Sequence, residues 1–292
     1  MTKPHGIPPI DPPSHPTATL PEGIADTHFH MLAADEDFPL WAHRVEDPAP
    51  GRDFADWIAT FKTHCAALGV TRGVVVHTIL FGGDNAVTLA TAERLGPGFA
   101  SICLVEDGAS DATLDALADA GCRGVRLNYV HGGILSWDGA KALAPKLAER
   151  GMHIQMLMNA DKHMAEIAPD LPGLPCPVVF DHIGWPDLSA GVDEPGFQGL
   201  VDAVTRGDAW VKLSGLYRLC AAPFSAADAH VAALAQANPA RCLWGSDWPH
   251  IMLADATTPD SGTLLDAFAR AVPDPAIQRQ ILVDNPAVLY RI

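Results

Sequence analysis

The sequence predicts an α/β protein folded as one distorted (β/α)8 TIM barrel, preceded by a proline-rich arm. Three observations carry this reading. Short apolar runs alternate with longer amphipathic stretches through eight units, the pattern of a parallel sheet covered on its outer face. At 292 residues the chain is long for an ordinary domain yet suits a single barrel. Polar and titratable residues collect at the C-terminal ends of the apolar runs, where a barrel keeps its chemistry. A doubly wound open sheet is the competing fold, but no Gly-x-Gly-x-x-Gly turn supports dinucleotide binding.

Residues 1–22 form the expected arm and residues 23–292 the barrel. The arm lacks the apolar core of a signal peptide, and its prolines favour an extended segment lying on the barrel or on a partner. Ile24–His30 is the first strand, and the polar stretch Met31–Asp53 after it forms part of the substrate rim. The helix Phe54–Leu68, the strand Gly73–Thr78 and the helix Asn85–Leu95 follow. Phe99–Val105 and Gly124–Asn128 are the third and fourth strands, with helices Asp111–Ala120 and Trp137–Arg150 after them, opened by Ser110-Asp111 and Ser136. His153–Met158, Val178–His182, Ala209–Ser214 and Cys242–Asp247 are the remaining strands. Between and after them lie helices at Asp161–Ile167, Pro195–Thr205, Ala226–Asn238, Leu264–Val272 and Pro275–Val283, the last with proline in its first turn.

Composition narrows the function. The chain is 48% hydrophobic with a net charge of −16, so it has a well-buried core and repels phosphate backbones and anionic lipid surfaces. Nucleic-acid and membrane roles are therefore disfavoured, while local arginines still permit an anionic substrate. The six scattered cysteines form no Cys-x-x-Cys pair and read as reduced thiols of a cytoplasmic protein. No apolar run reaches the roughly 18 residues of a spanning helix. The proline-rich arm leaves room for a homodimer.

The chemistry starts at His28 and His30, which project from one strand face because side chains alternate with period two. Later strand ends supply His77 and Thr78, then Arg126 and Asn128, Asp181-His182, and Ser246-Asp247 followed by Trp248-Pro249-His250. Polar groups inside an apolar barrel are costly unless paired or used. Asp247 can take a proton from water while His28, His30 and His182 polarise a carbonyl. The same three nitrogens and one carboxylate also make a zinc set with an open position, and spacing leaves both uses open.

The pattern Asp26-x-His28-x-His30, Arg126-Leu127-Asn128, Asp181-His182-Ile183-Gly184 and Trp244-Gly245-Ser246-Asp247-Trp248-Pro249-His250 resembles the amidohydrolase superfamily. Within it the chain is similar to the branch of small lactone hydrolases that includes the pyrone-dicarboxylate enzymes. The similarity runs from about Ile24 to the closing Asn285-Pro286-Ala287-Val288-Leu289-Tyr290. The resemblance implies hydrolysis of a carboxylated cyclic ester, with Asp247 as general base and His28, His30 and His182 stabilising the oxyanion. It further implies that Arg126 and Arg218 grip a substrate carboxylate and that His250 helps at the rim, while Asn128 and His77 join the substrate side. An acid limb in the pH profile, set by Asp247 protonation, goes with that assignment. A divalent ion such as zinc, where used, sits on His28, His30, His182 and Asp247, but the lactonase branch points to no obligatory metal.

The chain departs from that branch at two places. Trp185 stands where the pyrone-dicarboxylate enzymes have an arginine, and Tyr129-Val130-His131-Gly132-Gly133 stands where they carry basic residues. Fewer cations disfavour a planar dicarboxylate, since an unpaired buried carboxylate is heavily penalised. The expected substrate is therefore another anionic lactone, of muconolactone or sugar-acid type, with Trp185 as a stacking wall or as packing. The rivals are a lactone isomerase using a substrate hydroxyl as nucleophile, a zinc-dependent decarboxylase, and a ligand-binding barrel without turnover.

Overall fold

The computed structural model describes residues 3–253 and 257–292. Strands β1 (Ile24–Phe29), β2 (Val70–Val76), β3 (Phe99–Cys103), β4 (Cys122–Asn128), β5 (His153–Leu157), β6 (Val178–Phe180), β7 (Trp210–Leu213) and β8 (Cys242–Trp244) pair in parallel, each with its sequence neighbour. Helices α1 (Phe54–Leu68), α2 (Ala86–Leu95), α3 (Asp111–Asp119), α4 (Trp137–Glu149), α5 (Ala160–Ile167), α6 (Pro195–Arg206), α7 (Asp228–Ala237) and α8 (Ser261–Ala271) follow the strands in turn. The single-domain (β/α)8 barrel is thus the observed fold.

Local chemistry sets the element ends. Asp53 and Asp56 form a reciprocal capping box at α1, and Ser110 Oγ and Ser136 Oγ accept from Thr113 N and Gly139 N at the starts of α3 and α4. β2 begins at Val70 rather than Gly73, because α1 ends on left-handed Gly69 and Val70 pairs at once with Ile24. The chain does not stop being helical at Val283. After α9 (Pro275–Arg279) a π-helical segment, Gln280–Asp284, leads into α10 (Asn285–Tyr290). Pro286 occupies the first turn of α10, where its missing N–H is not needed.

The larger core lies between the sheet and its helices. At its head Phe29 stacks on Phe61 at 3.9 Å, and Trp248 tilts against Phe61 at 5.1 Å. Aromatic pairs of this kind add about 0.5–1.5 kcal/mol beyond area burial. A second cluster, including Val74, Ile102, Val179 and Leu243, is plugged by the fully buried Tyr290 of α10.

The barrel closes irregularly, and the irregularity positions the site. β1 shifts register against β2 between Asp26 and Phe29. Between β1 and β8 the contacts are Thr27 Oγ1 to Trp244 O at 2.7 Å, Asp247 N to His28 O at 2.8 Å and His30 N to Trp248 O at 2.7 Å. Asp26 is buried there, accepting from Ser246 N at 2.9 Å. A Cβ at Gly245 would lie 2.5 Å from His28 Cβ, so only glycine lets the closing strand approach the histidine strand. The N-terminal arm lies on its own barrel: Ser14 and Thr17 bond the carboxylates of Asp260 and Asp266, and Gly6 N donates to Asp47 O of the rim. No helix among the described residues is long and apolar enough to cross a membrane.

Candidate active site

Three imidazoles and one carboxylate meet at the C-terminal mouth of the barrel. His28 and His30 leave the same face of β1, with ring centroids 5.1 Å apart, and the His182 ring lies 4.7 Å from that of His28. Asp247 Oδ1 is 3.6 Å from His28 Nε2 and 3.2 Å from His30 Nε2, while Oδ2 is 3.7 Å from His182 Nε2. His182 and Asp247 both sit at positive φ, 54° and 61°, which aims them inward at the cost of backbone strain. Gly215 makes room for this, since a Cβ there would lie 2.5 Å from His182 Nδ1.

The Nδ1 atoms are held from behind. His30 Nδ1 donates to Val76 O at 2.8 Å, and His182 Nδ1 meets Ser214 Oγ at 3.0 Å. A carbonyl only accepts, so a neutral His30 presents a lone pair at Nε2. That nitrogen faces Asp247 Oδ1 at 3.2 Å. Behind His28 stands Lys212, fully buried on β7, whose Nζ donates to Thr27 O at 2.8 Å and Gln155 Oε1 at 2.7 Å and lies 3.3 Å from His28 Nδ1. His28 Nδ1 also lies 3.2 Å from Asp181 Oδ1, so the lysine and the carboxylate together hold the ring with Nε2 toward the cavity.

Asp247 Oδ2 accepts from Tyr217 OH at 2.7 Å and Arg218 Nε at 2.8 Å, whereas Oδ1 and His28 Nε2 are buried with no hydrogen-bond partner. Burial opposes ionisation of Asp247, but the Arg218 guanidinium and the neighbouring imidazoles outweigh it and hold the carboxyl well below its usual range. An acid limb from Asp247 therefore falls far below neutral pH. Burial likewise keeps His28 well below an ordinary histidine and pushes His182 down to about 4. Since His182 stays uncharged above that value, it is expected to give kcat/KM no inflection between about pH 5 and 7. An NMR titration of the His182 ring with a midpoint near 6.5 would contradict it.

Lys212 and Asp181 form the charged floor. Burial pushes Lys212 down to about 8, with Asp181 at 3.7 Å opposing that fall. Burial also works against the Asp181 carboxylate, but His28 and Lys212 keep it ionised far below its usual range. The signal in the sequence was a lone lysine inside the apolar run Trp210-Val211-Lys212-Leu213, the pattern that singled out Arg126.

The other expected residues divide. Arg126, Asn128, Trp185 and Arg218 line a narrow well of about 40 Å³ above Asp247. Asn128 Oδ1 is engaged by the backbone N–H groups of Val130 and His131. Arg218 is not a free carboxylate grip: its Nε is on Asp247 and one terminal nitrogen donates to Ile251 O at 3.2 Å. His77 has both nitrogens engaged, Nε2 with Gly82 O at 2.7 Å and Nδ1 with Thr88 Oγ1 at 3.4 Å. It supports the wall rather than offering a ligand. His250 is buried beside Tyr217, 5.0 Å between ring centroids, and is not among the residues lining the well.

The donor set fits a divalent ion. His30 Nε2 and Asp247 Oδ1 are two acceptors 3.2 Å apart, Oδ1 has no donor, and one atom each of His28, His30 and Asp247 lies within 4.8 Å of the others.

Comparison with known proteins identifies the family. The amidohydrolase family profile matches residues 25–292. A 4-sulfomuconolactone hydrolase of Rhizobium radiobacter is 34% identical, covering 98% of this chain and 97% of the relative. A 2-pyrone-4,6-dicarboxylate hydrolase of Comamonas testosteroni is 31% identical, covering 95% and 93%. In fold, the crystal structure of a probable 2-pyrone-4,6-dicarboxylic acid hydrolase from Acinetobacter baumannii superposes with a TM-score of 0.76 at 24% identity, over 92% of this chain and 100% of that one. With a family match that runs from the first strand to the last residue, this chain belongs to the amidohydrolase family.

Proposed function

We propose that the protein hydrolyses a lactone bearing an anionic group, with Asp247 as the base that activates water. The observation that carries this is Asp247 Oδ1, ionised, buried and without a donor, facing imidazole Nε2 atoms beneath a small well. Water there gives one proton to Oδ1, with His30 Nε2 as its second acceptor. The new C–O bond forms at the ring carbonyl, and His28 and His182 present Nε2–H groups to the oxyanion. When the ring C–O bond breaks, the proton held by Asp247 goes to the leaving oxygen. Tyr217 and Arg218 keep the carboxylate oriented throughout.

Two arginines and a lysine already surround these groups, so turnover in this reading does not depend on a metal. A divalent ion, when bound, is held by His28, His30 and Asp247, with His182 beside them, and supplies Lewis-acid polarisation of the carbonyl. Zinc analysis of the purified protein, with rates before and after a chelator, separates the two cases.

Arg126 is the carboxylate or sulfonate grip. Its Nη1 donates to His77 O at 2.8 Å, Nη2 lies 3.6 Å from Asp181, and Nε is buried without a partner. Arg126→Met is expected to raise KM by about ten- to a hundredfold while lowering kcat less, because the contact binds ground and transition states alike. Equal falls in kcat and kcat/KM would remove that role.

The class of reaction is tested by NMR of the products from a panel of anionic γ- and δ-lactones. A ring-opened acid is expected. A rearranged lactone would mark an isomerase, and released carbon dioxide a decarboxylase. All six cysteines are unpaired, which suits a reducing, cytoplasmic setting and a role in aromatic- or sugar-acid catabolism.

A further inference from the structure

We propose that the enzyme selects a lactone with one anionic group and one apolar substituent, the anion on Arg126 and the substituent in an outer chamber vacated by two glycine pairs. The inference rests on the lactone-hydrolase reading and adds the substrate class. The catalytic well is continuous with a chamber of about 350 Å³, since Ile79, Arg126, Asn128 and His131 line both. Trp41, Ile79, Leu104 and Ile134 supply its apolar walls. An apolar cavity of about 150 Å³ is enough to hold benzene, so a group of phenyl size fits with room to spare.

The space exists because side chains are missing. Gly82-Gly83 and Gly132-Gly133 both line the chamber. Trp41 packs against Gly82, where a Cβ would come within 2.7 Å of Trp41 Cδ1. A Cβ on Gly83 would meet only Ile134 Cδ1, at 3.5 Å, and one on Gly133 nothing closer than 3.9 Å. Gly132-Gly133 is the segment where the sequence departs from the basic residues of the pyrone-dicarboxylate enzymes, and the structure puts that departure on this wall.

Charge on the walls agrees. Among the described lining residues, Arg126 is the one Lys or Arg side chain, and no Asp or Glu joins it. Its guanidinium, 3.6 Å from Asp181, accommodates one anion. Burial keeps His77 and His131 below an ordinary histidine, so neither adds a cation near neutral pH. Arg218, the other cation of the well, is already on Asp247. A second anionic group on the substrate would sit against apolar walls with no counter-charge, which is costly.

The test compares kcat/KM for three lactones of one ring: a monocarboxylate, the same compound with a phenyl substituent, and a dicarboxylate. The phenyl compound is expected to exceed the unsubstituted one by at least about tenfold, a gain that burying some 60 Å² of apolar surface provides. The dicarboxylate should be the poorest of the three. Gly83→Leu, and separately Gly133→Leu, should collapse the phenyl-to-unsubstituted ratio at least tenfold in protein whose melting curve shows it folded. Ring opening without that selectivity in the wild type, or with the dicarboxylate preferred, overturns the inference and leaves the hydrolase reading standing. If neither variant folds, the wild-type ratio decides alone. If none of the lactones is opened, the hydrolase reading falls and this inference with it.

Discussion

Asp247→Asn is expected to lower kcat by about three orders of magnitude, with KM changing far less. A positioned base contributes about 10²- to 10⁴-fold, and Asp247 is placed at the high end of that range by its setting. Its free oxygen is buried, its other oxygen is fixed by Tyr217 and Arg218, and among the described residues no other carboxylate lines the well. Asparagine keeps an acceptor for the Tyr217 hydroxyl but cannot take a proton. The same change leaves Arg218 without its counter-charge, so unfolding must be measured beside activity. A folded variant with a wild-type rate would dismiss Asp247 as the base. A variant that lost KM and kept kcat would assign it to binding.

Lys212→Met should be the most destabilising single change around the site, costing about 3–5 kcal/mol. Removing one member of a buried charge cluster leaves the others uncompensated, which is worse than never having had the pair. Here Asp181 stays behind at the barrel's interior, and Thr27 O and Gln155 Oε1 lose their donor. Urea denaturation reads the loss as a fall in midpoint at constant slope. An unchanged midpoint would show that the network contributes little. Activity should fall as well, because His28 loses the ammonium 3.3 Å from its Nδ1. At a purely structural lysine, folded protein below its new midpoint would keep its kcat.

Several parts of this picture were legible in the chain itself. Alternating apolar runs announce the barrel, because a parallel strand is buried on both faces and a covering helix on one. Ser110, Ser136 and Pro275 mark helix starts for local reasons that need no partner. His28 and His30 share a face by strand geometry, and Arg126 stands out as a charge within an apolar run. Other partners were not legible. Arg218, expected to grip a substrate carboxylate, has its Nε on Asp247; His77, expected on the substrate side, has both ring nitrogens engaged; His250, expected at the rim, is buried beside Tyr217. Lys212 carries the same signal as Arg126, but nothing in its own strand names the partners it needs.

The sequence by itself determined the fold class, the set of strand ends that carry polar groups and the family to which the chain belongs. Those follow from periodicity, capping and short patterns, which act within a few residues. Three-dimensional packing alone shows that Lys212 and Arg218 face inward to buried carboxylates and that the glycine pairs line a chamber. Hydrogen-bond direction and cavity shape depend on groups from different strands arriving within about 3–4 Å of one another, and barrel closure brings them there.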